Sequence, residues 1–516
     1  MSGVLVSGDH VLQGFHGDTP VIHSNAAVLI EEGVVKQIGP AAELDRHYPE
    51  AKRFGGPGQV VIPGLINAHH HVGLTPFQLG SPDHPLELWF ASRMGLRAVD
   101  PRLDTLYSAF EMIASGVTCV QHLHSRAPGG LEGLHSTASA VLGAYDEIGM
   151  RVSFSMAIRD QNRLVYEDDQ AFLSRLPEAL RPALAAYFDN YTVPLANQIA
   201  LTDALEAMVA GREKQRVQLA PSNLHWMSDA AIEAVADLSE ARDMAMHAHV
   251  LETPYQWEYA RRRTGGSPLA YLAERGLVTH RLTVGHGVWM SDSDVDRCAE
   301  AGCAICHNCS SNMRLKSGIA PVNRFLAKGL PVALGIDEAG INDDRDMLQE
   351  MRLVLHMHRE PGLDAPAPTH AQVLRMASDH GARTTPFGPT IGSLRPGSAG
   401  DLVILDWRKV TWPHQDPARG LDEVLVHRAR PAAVHTVLVA GEPVLENGRF
   451  TRMDRDDVLS EIAEALATAP DADTLARREL AEDVMPFVRD VYRDYRLPSG
   501  APHYRQSSRT WPGEET

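Results

Sequence analysis

Eight short apolar runs, each separated from the next by an amphipathic helical stretch and a Gly or polar break, constrain this chain more than any other feature. They are VVIPGLINAHHH from Val60, VTCV from Val117, RVSFSMAI from Arg151, RVQLAPS from Arg216, MAMHAHV from Met244, LTVGHG from Leu282, CAICHN from Cys303 and VALGID from Val332. Strands that alternate with helices in this way join in parallel, are covered on both faces and read as continuous apolar segments. Eight such units are the count of a (β/α)8 TIM barrel, so the fold class expected is α/β. The helix before the second run shows the rule: Asp100 is placed to cap it, Pro101 to occupy its first turn, and Leu103, Leu106, Phe110 and Ile113 to share one face until Gly116 stops it.

The ends of the chain follow other patterns. Residues 1–60 carry short apolar runs with Gly and charged turns, an antiparallel β pattern with no helix of useful length, and similar runs return over 391–452. The two ends are expected to complete one small β-sandwich around a barrel spanning 61–390. Residues 453–516 turn helical and acidic and finish in a polar tail holding His503, Tyr504 and Trp511. This C-terminal extension can pack on its own barrel or on a neighbouring copy, and a homo-oligomer of two or four chains is expected.

At 516 residues and 44% hydrophobic content the chain can bury a large core. Its net charge of -18 opposes phosphate binding and argues against nucleic acid as a partner. The N-terminus lacks a signal-peptide pattern and no run of 18 apolar residues occurs, so no membrane partner and a cytoplasmic location are expected. Four of the five cysteines, Cys298, Cys303, Cys306 and Cys309, lie close in sequence, but strand alternation sends Cys303 to one face and Cys306 to another, unlike a metal knuckle's ligands.

In such a barrel chemistry sits at the C-terminal ends of the strands. Those ends are rich in histidine: His69, His70 and His71 on the first, His247 and His249 on the fifth, His286 on the sixth, His307 on the seventh, and Asp337 on the eighth. A lone strand-end histidine is usually a packing residue; several on separate strands suit a divalent metal. Alternation directs His69 and His71 to the barrel interior and His70 away from it. The expected ligands are His69, His71, His249 and Asp337, three imidazoles and a carboxylate that suit zinc, with iron, cobalt or manganese as alternatives, and leave room for water. Glu252 is placed to carry protons, and His286 and Asp337 to orient and deprotonate water. Candidate substrate contacts near strand ends are Gln78, His122, His124, Gln161, Asn223, His225, Trp226 and Glu338.

PGLINAHHHV from Pro63, HVLET from His249, GHG from Gly285, HNCSSNMRLKSGIAPV from His307 and LGID from Leu334 resemble the amidohydrolase superfamily, specifically its deaminase and triazine chlorohydrolase branch. The resemblance covers roughly residues 1 to 450. It implies a barrel with a β-sandwich from both termini, one divalent metal on His69, His71, His249 and Asp337, and Glu252 and His286 in catalysis. The candidate fourth strand and its loop, RVQLAPSNLHW, hold no lysine that could bridge two metals, which favours one. Two features depart from the ring-deaminase pattern: APSNLHW stands where many members have a Pro-His pair, and Glu338 follows Asp337 where they have a small residue. The function expected is hydrolysis of a non-peptide C–N bond in a small neutral or cationic nitrogen compound, an amino-heterocycle, urea or carbamate. Alternatives are triazine dechlorination and a non-catalytic metal-binding scaffold, which would need neither Glu252 nor His286.

Overall fold

The computed structural model describes residues 3–497, so His503, Tyr504 and Trp511 lie outside the described residues. Strands β1 (Val4–His16), β2 (Thr19–Glu31), β3 (Val34–Pro40) and β4 (Lys52–Pro63) open the chain, with one short helix, Ala41–His47, before β4. The barrel strands follow: β5 (Leu65–His70), β6 (Val117–His124), β7 (Arg151–Ile158), β8 (Gln215–Val217), β9 (Ala220–Pro221), β10 (Met246–Val250), β11 (Leu282–His286), β12 (Ala304–His307) and β13 (Val332–Leu334). Strands β14 (Leu402–Asp406), β15 (Val434–Val439), β16 (Glu442–Glu446) and β17 (Arg449–Phe450) then return to the first sheet.

All barrel pairings are parallel. Single parallel bridges, Leu219 to Met246 and His70 to Asp337, join the β5–β9 sheet to the β10–β13 sheet and close the ring. The fourth barrel strand is broken into β8 and β9, which both pair with β7. The run VVIPGLINAHHH also divides. Val60 to Pro63 belong to β4 and pair with β14, whereas Leu65 begins the barrel. Gly64 marks the crossing, because a Cβ there would lie 2.1 Å from Thr118 Oγ1.

The two ends of the chain meet in one eight-stranded sheet, ordered β17-β16-β15-β14-β4-β1-β2-β3. Alternation along β4 and β14 serves two cores. Val61, Leu402 and Ile404 face the sheet's own cluster with Val6, Val28 and Ile30, while Val60, Ile62, Val403 and Leu405 turn into the main core. The first barrel helix, Pro101–Ala114, is capped by Asp100, whose side chain accepts from the Arg102 and Leu103 amides, and it buries Leu103, Leu106, Phe110 and Ile113.

Two inserts rise above the strand ends. One follows β5 and carries helix Leu86–Ser92 and the turn Arg93–Gly95; the other follows β7 and carries helices Asp169–Arg175 and Arg181–Asn190. The C-terminal extension supplies helices Arg455–Ala467 and Ala472–Val491. It packs on its own barrel: Leu480, Val484 and Val488 share a cluster with Leu88 and Met94 of the first insert and Phe172 and Phe188 of the second. No described helix is long and apolar enough to cross a membrane.

Candidate active site

The strand ends bring His69, His71, His249, His286 and Asp337 together at the mouth of the barrel. His71 Nε2 lies 3.0 Å from His69 Nε2, 3.1 Å from His249 Nε2 and 3.2 Å from Asp337 Oδ1, and His69 Nε2 lies 3.6 Å from that oxygen. Bonds of about 2.0–2.1 Å to a tetrahedral zinc put neighbouring ligand atoms roughly 3.3 Å apart, so these spacings are those of a ligand shell. The Nδ1 atoms of His71 and His69 are held from behind, whereas His249 Nδ1 has no hydrogen-bond partner. His71 Nδ1 donates to Leu123 O at 2.5 Å, and His69 Nδ1 meets His247 Nε2 at 2.8 Å, which leaves the Nε2 lone pairs free to face one centre. His70 turns away, with its Nε2 3.1 Å from Ser108 Oγ in the helix layer.

The electrostatics agree with a cation site. Burial, then the neighbouring imidazoles, drive His69 and His249 well below the ordinary histidine range. Burial opposes a charge on His71, but the hydrogen bond and charge of Asp337, the charge of Glu338 and the Leu123 carbonyl together outweigh this and raise it. Burial alone would raise Asp337, yet His71 holds its carboxyl well below the usual range. A divalent cation, carrying more charge than a proton, competes for the lone pairs that His71 and Asp337 direct at each other. The donor set fits one metal ion of the zinc type.

Glu252 and His286 border this cluster. Glu252 is 3% exposed, just beyond β10, where Leu251 takes a left-handed φ of 53°. Burial, then the negative charges of Asp337 and Glu87, push its carboxyl well above the usual range, so it favours holding a proton. Its Oε1 accepts from Ser317 Oγ at 3.4 Å and lies 3.8 Å from His286 Nδ1. The His286 Nδ1 in turn is 2.8 Å from Asn312 Oδ1, while its Nε2 is 3.8 Å from Asp337 Oδ2.

A cavity opens directly on these groups, lined by His71, His249, Glu252, His286 and Asp337 below and by Trp89, Phe90, Trp226 and Leu315 above. Of the eight residues expected as substrate contacts, Trp226 and Glu338 line it. Glu338 is ion-paired there, with Arg93 Nη1 3.0 Å from its Oε1. Gln161 lines an adjoining cavity and donates to His225 O at 3.3 Å. The remaining five are engaged or covered elsewhere. Gln78 caps its own turn through the Thr75 amide, and His122 bonds Tyr145 Oη at 3.0 Å and stacks on His124. Asn223 accepts from the Leu224 amide, and His225 lies fully buried with its ring 3.8 Å from that of Tyr166. The four clustered cysteines do not converge on one centre: Cys303 Sγ donates to Thr279 O, Cys306 lies beside His69 and His247, and Cys309 beside His307 and His358.

Sequence reasoning missed Trp89, Phe90, Arg93, Arg126 and Arg159, all in the cavity wall. Arg159 is half-buried, its guanidinium 4.6 Å from the Trp226 ring centre, and loss of hydration, then Arg126, lowers it to about 9. The signal for Trp89, Phe90 and Arg93 was a segment too long for an ordinary barrel loop, whereas Arg126 and Arg159 stand within two residues of the ends of β6 and β7.

Imidazoles and a carboxylate converging at the C-terminal ends of an eight-stranded parallel barrel define a metal-dependent hydrolase. The chain belongs to the amidohydrolase family, whose model matches residues 60–444. That makes it an enzyme acting on C–N bonds other than peptide bonds. It is 30% identical to a 5'-deoxyadenosine deaminase of Methanothermobacter thermautotrophicus, over 80% of this chain and 88% of that one. It is 29% identical to a 5-methylthioadenosine/S-adenosylhomocysteine deaminase of Syntrophobacter fumaroxidans, over 84% and 92%. The fold matches an adenosine deaminase from Xanthomonas campestris with bound zinc, with a TM-score of 0.76, 24% identity and coverage of 93% and 98%. It equally matches a zinc-complexed atrazine chlorohydrolase from Arthrobacter aurescens TC1, with a TM-score of 0.77, 21% identity and coverage of 89% and 99%.

Proposed function

We propose that this enzyme hydrolyses a C–N bond of a small, flat nitrogen heterocycle, neutral or cationic at its reacting end, with release of ammonia or an amine. The observation that carries this is the aromatic-walled cavity, Trp89, Phe90 and Trp226, set directly over the His/Asp cluster with the buried Glu252 at its edge. The similarity to deaminases of adenosine derivatives supports the same substrate class. His69, His71, His249 and Asp337 would hold the metal, zinc by the analogy with the solved barrels. When bound, such an ion acts as a Lewis acid that makes water a nucleophile near neutral pH.

The chain's own residues then have distinct tasks. The aromatic walls hold a ring by stacking and exclude bulk water. Asp337 Oδ2 and His286 Nε2 aim the attacking water and take up its proton. Glu252, buried and protonated, delivers a proton to the ring or departing nitrogen, which would otherwise leave as a poor anionic group. Each nitrogen of His286 has a defined partner, which suits a group that must keep one tautomer while it exchanges protons. Assembly into a dimer or tetramer, in the cytoplasm, belongs to the same proposal and is read by light scattering and fractionation.

The test is a screen of metal-loaded protein against aminated heterocycles, N-aryl ureas, carbamates and chlorotriazines, scored for ammonia, amine and chloride. C–N cleavage of a neutral or cationic compound is expected. Activity confined to N-acyl amino acids, or chloride as the only product, overturns the reading.

A further inference from the structure

The roof of the cavity is formed by one part of the chain and backed by a distant one. Leu86–Ser92 and the turn Arg93–Gly95 carry Trp89, Phe90 and Arg93 over the His/Asp cluster. The same segment is the seat of helix Ala472–Val491. Arg477 Nε donates to Met94 O at 3.1 Å and Arg478 Nε to Gly95 O at 3.0 Å, while Leu88, Ala91 and Met94 pack in one cluster with Leu480, Ala481 and Val484. Approach is tightest at Gly95, where an added Cβ would lie 2.5 Å from Arg478 Cγ.

Arg93 immediately precedes these two anchored carbonyls. Its guanidinium lies 4.3 Å above the Trp89 ring and its Nη1 is 3.0 Å from Glu338 Oε1. Both side chains are 10% exposed, and Arg93 Nε and Glu338 Oε2 have no partner within the protein. Glu338 adjoins Asp337, so the ion pair cancels a buried negative charge at the edge of the cluster. Without Arg93 that carboxylate would stand uncompensated in a poorly hydrated wall, a costly state relieved by a cationic ligand or by uptake of a proton.

We infer that Arg93 and Glu338 form the specificity-determining pair of the cavity and that Arg477 and Arg478 are the positioning residues holding it, which makes the C-terminal extension part of the substrate site. The inference rests on the reading of the barrel as a C–N hydrolase. The pair admits neutral ring compounds because its charges cancel, and the helix sets the distance at which they cancel.

The experiment uses the full, metal-loaded chain and the best neutral substrate from the screen together with its N-methylated cationic analogue. Arg93→Met should raise KM for the neutral compound about tenfold or more, the scale of one lost charged hydrogen bond, with kcat and metal content little changed, and should shift preference toward the cation. Adding Glu338→Gln to Arg93→Met should bring the neutral KM back to near the wild-type value. Arg478→Ala and Gly95→Ala should move KM in the same direction and speed amide exchange over residues 86–96. Lower thermal stability in those two variants with unchanged KM and unchanged exchange overturns the positioning role. Equal loss of kcat and metal in Arg93→Met, or no rescue by Glu338→Gln, overturns the specificity role. If wild-type protein cleaves no C–N substrate, the functional reading fails on its own; amide exchange then still decides the positioning role.

Discussion

Replacing Glu252 by Gln separates proton transfer from metal binding more cleanly than any other change. The side chain is 3% exposed, and no other described carboxylate borders His286 and Asp337 closely enough to stand in for it. Glutamine keeps the shape and keeps an oxygen for Ser317, and the Glu252 backbone amide still donates to Gln256 Oε1, where that bond is 2.8 Å. Because burial already disfavours the charged form of Glu252, a neutral side chain of the same shape should shift the melting temperature by no more than a few degrees.

The cost falls on chemistry. A positioned general acid contributes about 10²–10⁴-fold, which is ~2.7–5.4 kcal/mol of barrier. kcat should therefore fall by at least about a hundredfold while KM changes little and metal stays near one equivalent. Metal analysis of the variant, a melting curve and steady-state kinetics on the best substrate decide it. Metal loss would place Glu252 among the ligands, and turnover within about threefold of wild type would show that the proton comes from elsewhere.

Purified protein should carry close to one equivalent of a divalent transition metal; His69→Ala or His71→Ala should abolish both metal and turnover, whereas His70→Gln should retain them, as elemental analysis will show. Trp226→Ala should weaken binding of a ring substrate by about tenfold to a hundredfold, the ~1–3 kcal/mol of a stacked aromatic contact, with metal unaffected. Glu87 gives a pH signature: burial pushes its carboxyl up to about 7 from an ordinary value of 4.5, against hydrogen bonds from Thr253 and Tyr166. The folded state then keeps a proton that the unfolded chain releases, so stability is full below about 4.5 and is lost as pH rises to about 7. Glu87→Gln, which keeps the acceptor oxygen, should shrink the difference in unfolding free energy between about pH 5 and about pH 8 by roughly 2–3 kcal/mol in urea titrations; an unchanged difference would show that Glu87 is ionised in the fold.

The barrel and its strand ends were legible because both depend on local pattern. Continuous apolar runs fix the parallel strands, and alternation within LINAHHH separates His69 and His71 from His70 without any knowledge of the tertiary fold. The extent of the first run was not legible, because VVIP and LINAHH are equally apolar and only the pairing of β4 with β14 divides them. The break between β8 and β9 was hidden for the same reason. The cavity walls failed for a different cause. His122 and His124 look like contacts by their place at the end of β6, but they stack on each other, and His122 also meets the Tyr145 ring edge to face. Trp89, Phe90 and Arg93 sit on an insert whose position is set by partners such as Arg477, 383 residues away from Met94. No periodicity within a window of the sequence carries a contact of that range.

The motif HNCSSNMR acquires a physical account only in three dimensions. His286 and Asp337 both sit at left-handed backbone positions, with φ of 69° and 63°, where a non-glycine residue costs about 1–3 kcal/mol. That conformation turns each side chain from the strand direction toward the barrel axis, and something must hold it there. The holders come from one element: Asn308 begins and Asn312 continues the short helix Cys309–Arg314 after β12. Asn312 Oδ1 meets His286 Nδ1 at 2.8 Å, Asn308 Nδ2 lies 3.3 Å from its Nε2, and Ser311 Oγ donates to Asp337 Oδ2 at 2.6 Å. A single helical turn thus fixes both His286 and Asp337, one from each side. Gly335 belongs to the same arrangement, since a Cβ there would lie 2.3 Å from Asn308 Oδ1 and 2.4 Å from His69 Cβ. Packing too close for any side chain on the eighth strand therefore ties His69 to the turn that holds His286 and Asp337, so these three side chains cannot shift independently.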